Sequence, residues 1–202
     1  MAKPRQVRQR HDWDCGLACV QTVLDWLGAK ADNADSLAVA VGTQSIWTID
    51  LVALLLEEVP PGSRVTFYSH VLEASYHLAH DCFYYREYLT DMKRIQPLFR
   101  SVVALGCAHR GSLGLPALRA ALREGSLALV LLNASQLSCC VRSERAFGFE
   151  GHFIVVFGIS SDGVNYVDPA SPQHSTCWMT IATFEAARKC SGTDEDIVLI
   201  SR

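Results

Sequence analysis

The chain has 202 residues; half of them are hydrophobic, and the formal net charge is −3 at pH 7. This length and apolar content exclude a disordered chain and predict a single domain over residues 1–202 with its own hydrophobic core. The acidic balance argues against a protein that binds the phosphate backbone of nucleic acids.

No targeting segment is evident. The basic start at residues 3–10 is not followed by the apolar stretch of a signal peptide. The longest apolar runs, residues 51–56 and 127–132, are too short to span a membrane. Eight cysteines without a secretory signal indicate reduced thiols rather than a disulfide framework. We therefore expect a cytoplasmic protein without a membrane span.

Regular elements follow from hydrophobic spacing. Apolar residues at helical spacing predict a first helix over residues 15–27, with Asp14 as its N-cap and Gly28 as its stop. The next predicted elements, in chain order, are a short helix over 32–41, a helix between Trp47 and Pro60 with Thr48 as a possible N-cap, a strand over 64–71, a helix over 92–105 and a short strand over 109–113. They are followed by a helix opened by Pro116 and closed by Gly125, strands over 127–132, 152–159 and 164–167, a helix over 184–190 and a last strand over 197–200.

The order of these elements predicts the fold class. Helices come first and mostly antiparallel strands follow, which indicates an α+β fold with N-terminal helices packed on an antiparallel sheet. Residues 72–90 show no clear period. Residues 136–150 are polar and are expected to form a loop, which could either cover a cleft or lie on the surface.

Cys15 is the first candidate for chemistry. At the first turn of a helix, a thiol is close to the positive end of the helix dipole, which favours the thiolate. The alternative is a small buried residue that starts a core helix. Cys19, one turn further along, could be a resolving thiol, although packing against the core is the favoured interpretation.

A hairpin is predicted to bring two further candidates together. His152 starts one strand, Asp168 ends its partner, and the turn at residues 160–163 places them close to opposite each other. A carboxylate there can orient an imidazole, which can then deprotonate a thiol, so Cys15, His152 and Asp168 would form a triad. Singly, His152 could be a core histidine and Asp168 a turn residue before Pro169.

Metal binding is a weaker prediction. Cys139, Cys140, His174 and Cys177 could form a zinc site, but vicinal cysteines suit one tetrahedral site poorly. The acidic residues 194–196 could hold a metal or form a solvated turn. We predict no metal and no cofactor. Six further residues look like a ligand cluster: His77, His80, Cys82, Tyr84, Tyr85 and Tyr88. Packing of aromatic side chains over a loop is the favoured interpretation of these residues.

Several short motifs resemble the bacteriocin-processing peptidases that cleave double-glycine leaders, which are papain-like cysteine peptidases. The matching positions are Gln9, DCGLAC at residues 14–19, GHFIVV at 151–156 and DPA at 168–170. This resemblance implies a papain-like fold.

The same resemblance implies a role for each site residue. Cys15 would be the nucleophile, His152 the base and Asp168 the residue that orients it. Gln9 stands six residues before Cys15, where the family has the glutamine that donates to the oxyanion. Asp12 and Trp13 are expected to shape the cleft beside Cys15, although Trp13 could equally be a core residue.

A second resemblance covers nearly the whole chain. Residues 11–19, 45–51 and 192–197 are similar to those of the eukaryotic guanylyl-cyclase-domain-containing proteins, which include plant proteins described as soluble guanylyl cyclases. That resemblance implies conversion of GTP to cyclic GMP with Mg²⁺. The sequence contains no glycine-rich phosphate loop of the Walker type.

The sequence thus predicts a papain-like cysteine hydrolase with a peptide, isopeptide or thioester substrate. Its expected partner is a peptide or protein substrate, and no nucleic acid is expected. The first alternative is a guanylyl cyclase, in which case GTP and Mg²⁺ would bind. The second is a catalytically silent module that binds a protein.

Overall fold

The computed structural model describes residues 3–29, 34–73, 85–137, 149–173 and 175–202. Its helices are α1 (Cys15–Leu27), α2 (Ala34–Val41), α3 (Thr48–Glu58), α4 (Tyr85–Ala104), α5 (Leu115–Arg123) and α6 (Ile181–Arg188). Its strands are β1 (Arg64–Ser69), β2 (Ala108–Arg110), β3 (Leu127–Asn133), β4 (Gly151–Ile159), β5 (Gly163–Val167), β6 (Cys177–Thr180) and β7 (Ile197–Ser201).

The strands form one seven-stranded sheet in the order β2-β1-β7-β3-β4-β5-β6. Neighbouring strands are antiparallel except for β1 and β2, which are parallel. The prediction of an α+β fold is confirmed, with the sheet mixed at one edge. Strand β7 is the last in chain order and pairs with β1 on one side and β3 on the other.

Helices cover both faces of the sheet. Alternate residues of β3 point to opposite sides, so Leu127 and Leu129 join one hydrophobic core while Ala128 and Val130 join a second. The first core contains the inner faces of α1, α3 and α4, and the second contains those of α5 and α6. The expected packing of the N-terminal helices on the sheet is confirmed.

Most predicted elements are present, with shifted ends. Strand β6 was not predicted because four residues are too few to show a period. Helix α4 begins at Tyr85, inside the stretch without a clear pattern. The N-cap of α3 is Trp47 and not Thr48, and the Trp47 backbone N–H donates to the Asp50 carboxylate at 2.8 Å.

Some predictions fall outside the described residues. These are the interpretations of His77, His80, Cys82, Tyr84, Cys139, Cys140 and His174, and of the loop over residues 138–148. Tyr85 and Tyr88 lie in α4, and their side chains are not described.

Two further features of the described residues concern membrane spans and cysteine thiols. None of the described helices combines the length and apolar character needed to cross a bilayer. The cysteines Cys15, Cys19, Cys107 and Cys190 are free thiols.

Gly163 opens β5 at a crowded point. A Cβ atom there would lie 2.4 Å from the Met179 carbonyl oxygen and 2.4 Å from Cε2 of Trp178. Because strand β6 would have to move away, we expect Gly163→Ala to lower the free energy of unfolding by about 1–3 kcal/mol in urea titrations. The matched control is Gly158→Ala in β4, whose new methyl group would meet only the Asn165 amide nitrogen, at 3.9 Å. Equal losses in both variants would contradict this explanation.

Candidate active site

His152 and Asp168 come together at one end of the β4–β5 hairpin. His152 is the second residue of β4, and Asp168 directly follows β5. Nε2 of His152 lies 2.8 Å from Oδ1 of Asp168. Both side chains are buried, with His152 4% and Asp168 1% exposed. A hydrogen bond this short and this sheltered from water fixes the orientation of the ring.

The strand register differs from the predicted one. Val155 pairs with Val167, and continuing that register places Asp168 level with Ile154, two residues from His152. Next to the turn Ile159 pairs with Val164, a register that would place Asp168 level with Val155, and the bulge between Val156 and Gly158 moves it one residue closer to His152. The two side chains therefore meet diagonally and not directly across the hairpin.

The Asp168 carboxylate is itself held in place. The Ala170 backbone N–H donates to its Oδ1 at 2.8 Å. The Gln6 side-chain amide donates to the Asp168 carbonyl oxygen at 2.6 Å. The segment before α1 is thus tied to the loop after β5, which brings the start of α1 to the end of the hairpin.

Cys15 completes this group. It is the first residue of α1, which packs on β4, and it is 7% exposed. Its thiol lies close enough to the His152 ring to raise the pKa of that ring. Because Nε2 is occupied by Asp168, the ring nitrogen left for the sulfur is Nδ1. The structure therefore brings together all three predicted triad residues.

The environment favours a protonated imidazole. Burial lowers the pKa of His152, but hydrogen bonds to Asp168 and Cys15, and the charges of these two residues, raise it to about 9. At neutral pH the ring is then an imidazolium, which can stabilise a thiolate beside it.

Cys19 has a different character. It is 1% exposed, and its Sγ lies 3.4 Å from the Phe153 carbonyl oxygen, to which it donates. Burial, and to a smaller extent the negative charges of Cys15 and Asp168, raise the pKa of this thiol well above its usual range. Packing against the core fits this position better than a resolving role.

Gln9 lies beside the same loop. Its backbone N–H donates to the Pro169 carbonyl at 3.1 Å, and its side-chain amide donates to the His11 carbonyl at 2.9 Å. Its Oε1 is buried and makes no hydrogen bond with any described residue. Since the amide is engaged with His11 in this conformation, its role as an oxyanion donor stays a prediction.

Asp14 occupies the N-cap position of α1, but the predicted capping bond is wrong. Its carboxylate instead accepts from the backbone N–H groups of Arg10 and His11, at 3.1 and 3.0 Å. The backbone N–H groups of the preceding segment thus occupy the Asp14 carboxylate oxygens that would otherwise cap the helix. The first-turn N–H groups, including that of Cys15, therefore have no side-chain cap and can face a developing oxyanion.

A cleft of about 350 Å³ opens beside Cys15. Asp12 and Trp13 line it as predicted, and Trp13 also packs against the first core. The other aromatic and charged side chains that line it are Trp47, Phe149, Phe153, Asp194 and Asp196. Among the lining residues that the structure describes, none is a lysine or an arginine.

The turn before β7 forms the acidic wall of this cleft. Asp194 and Glu195 both have positive φ, at 50° and 55°. Fully buried Arg188 holds the turn against α6, with Nη1 3.6 Å from Glu195 and Nε 2.6 Å from Glu185. The interpretation as a solvated turn is wrong for Asp196, which is 8% exposed. Within the described residues, no group of three or more potential metal ligands is placed to hold a metal.

Asp196 is a site residue that the sequence analysis missed. Burial raises the pKa of its carboxyl to about 7; the Ser69 and Thr48 hydroxyls lower it in part, and Asp194 raises it further. Its Oδ1 and the Thr48 hydroxyl are both buried without a well-formed hydrogen bond to any described residue. No pattern in the sequence links two positions that lie 148 residues apart.

Comparison with solved structures supports the fold. A crystal structure described as a C39-like peptidase, from Bacillus anthracis, is similar over 100% of this chain and 98% of its own, with a TM-score of 0.58. The identity is 11%, so this likeness concerns the fold alone. It confirms the prediction of a papain-like fold.

Comparison of sequences defines the family. A protein named guanylyl cyclase 1, from Arabidopsis thaliana, is 31% identical over 208 residues, which cover 96% of this chain and 74% of the relative. The family described as guanylylate cyclase matches residues 5–200. The chain therefore belongs to the guanylylate cyclase family.

Proposed function

We propose that this protein is a papain-like cysteine hydrolase that acts on a peptide, isopeptide or thioester. The observation that carries the proposal is the buried series of contacts from Asp168 through His152 to Cys15, which opens onto a cleft. Nucleophile, base and orienting carboxylate stand in the order that thiol-dependent acyl transfer requires.

The chemistry follows from the protonation of the ring. In the thiolate–imidazolium form, the Cys15 sulfur attacks the carbonyl carbon, and the carbonyl electron pair moves to oxygen. The Cys15 backbone N–H, with Gln9 if its amide turns from His11, stabilises this oxyanion. His152 then gives its proton to the leaving amine or thiol as the scissile bond breaks. Water attacks the resulting thioester, His152 takes its proton, and the Cys15 thiolate is released with the carboxylic acid.

We expect Cys15 to react with iodoacetamide at pH 7 about tenfold faster than Cys107 and Cys190, which are the half-buried free cysteines among the described residues. The physical reason is the imidazolium beside its sulfur. Timed labelling followed by peptide mass mapping measures each rate. If Cys15 reacts no faster than these two cysteines, it is not an activated nucleophile.

The family name favours a second candidate, conversion of GTP to cyclic GMP, since both the family and the Arabidopsis relative carry it. The charge of the cleft does not support it. A triphosphate would face Asp12, Asp194 and Asp196 without a described lysine or arginine to offset its charge. The described carboxylates also lack the grouping that would hold Mg²⁺, so the residues present do not fit this ion.

A direct assay separates the candidates. The protein is incubated with GTP and Mg²⁺, and cyclic GMP is measured by mass spectrometry for the wild type and for Cys15→Ala. Product that survives the substitution would favour a cyclase with its site elsewhere. No product, together with an unreactive Cys15, would favour the protein-binding module.

A further inference from the structure

The cleft beside Cys15 has acidic side chains and, among its described lining residues, no lysine or arginine. Asp12, Asp194 and Asp196 line it. The buried cation behind the acidic turn, Arg188, is paired with Glu185 and Glu195 and not with the two aspartates of that turn. A cleft lined by one sign of charge attracts a ligand of the opposite sign.

The acidic wall also has unused hydrogen-bonding capacity. The Thr48 hydroxyl is close enough to the Asp196 carboxyl to lower its pKa, but this hydroxyl and Oδ1 of Asp196 are buried without a well-formed hydrogen bond to any described residue, and both residues line the cleft. Buried polar atoms are rarely left without a partner. A donor brought by a ligand would satisfy both acceptors. An ammonium or guanidinium group supplies several N–H donors together with the charge that these carboxylates favour.

Aromatic side chains suit the rest of such a ligand. Trp13, Trp47 and Phe149 line the same cleft. The apolar stem of a lysine or arginine packs well on aromatic surfaces, and its cationic end is attracted to their faces.

We propose that the substrate carries a lysine or arginine side chain close to the reacting carbonyl, and that Asp194 and Asp196 bind its cationic end. This inference rests on the proposed nucleophilic role of Cys15. Burial raises the pKa of both carboxyls above the usual range for aspartate, and a bound cation would favour their ionised forms.

The test uses charged thiol reagents and needs no known substrate. Cationic (2-aminoethyl) methanethiosulfonate and anionic (2-sulfonatoethyl) methanethiosulfonate are compared at Cys15 by peptide mass mapping. Each rate is divided by that for a small free thiol. We expect the normalised rate to favour the cation by about tenfold at low salt, and this preference to decline with added salt.

Variants locate the source of the preference. Asp194→Asn and Asp196→Asn should each lower it by about two- to threefold. Asp162→Asn, the same change in the exposed β4–β5 turn, should leave it unchanged. A fast Cys15 without charge preference, or a preference that survives both cleft substitutions, overturns this inference and leaves the hydrolase proposal standing. A Cys15 that is slow toward both reagents contradicts the hydrolase proposal itself.

Discussion

Glutamine in place of His152 is expected to slow the reaction of Cys15 with iodoacetamide at pH 7 by about ten- to a hundredfold. The pKa of about 9 keeps the ring protonated at neutral pH, next to the Cys15 sulfur. Glutamine can accept or donate a hydrogen bond but carries no charge, so the sulfur loses the cation that stabilises its thiolate. Labelling rates from pH 5 to pH 9 measure the effect.

The pH profile of the labelling rate distinguishes loss of the imidazolium from loss of the folded structure. The wild type should react faster than the variant at neutral pH, and this difference should shrink as the pH rises toward 9, where the His152 ring loses its proton. His109→Gln is the matched control, because His109 is exposed and stacks on Tyr68 away from the site. Circular dichroism checks that the variants are folded. Identical profiles for the wild type and His152→Gln would show that the imidazole does not activate the thiol.

Asparagine in place of Asp196 is expected to raise the free energy of unfolding by about 4 kcal/mol at pH 8. Burial raises the pKa of this carboxyl from 3.8 to about 7, so the folded protein holds the proton more tightly than the unfolded chain. The stabilisation from this proton is complete below pH 3.8 and is lost as the pH rises through 7. Above that pH the wild type carries a buried carboxylate that asparagine removes.

Urea titrations at pH 5 and pH 8 test the sign of this effect. The difference between Asp196→Asn and the wild type should be about 2 kcal/mol at pH 5 and about 4 kcal/mol at pH 8. His152 also loses stabilisation, between pH 6.5 and about 9, because its pKa is raised on folding. That loss occurs in both proteins and cancels in the comparison. A wild type at least as stable as the variant at pH 8 would contradict the prediction. A stabilising substitution in a cleft is typical of residues kept for binding.

Local patterns in the sequence were sufficient for much of the fold. The apolar period and Gly28 predicted α1 with its observed ends, and the turn at residues 160–163 predicted the hairpin that carries His152 and Asp168. Both signals depend on residues close together in the chain. The contact of this hairpin with α1 was inferred from the residue types of a triad and from family resemblance, because no local pattern reports it.

Features that depend on tertiary packing were not predictable. Gly158 inside the strand pattern is a signal for a bulge, but it does not define how the pairing between Val156 and Gly158 shifts. Asp14 had the right residue type for a helix cap, but the fold of the preceding chain directs its carboxylate elsewhere. The buried state of Asp196 results from packing against α3 and β1, which only the assembled sheet creates.

The place of β7 in the sheet has a consequence for biosynthesis. This strand is made after the other six, yet it lies between β1 and β3 and is the element that joins the β1–β2 pair to β3, β4, β5 and β6. A nascent chain that lacks it holds two unjoined portions of sheet, each with an open edge. The acidic wall that precedes β7 is also missing at that stage. Cys15 therefore acquires its complete surroundings only after β7 has been made, and its labelling can report when a newly made chain has closed its sheet.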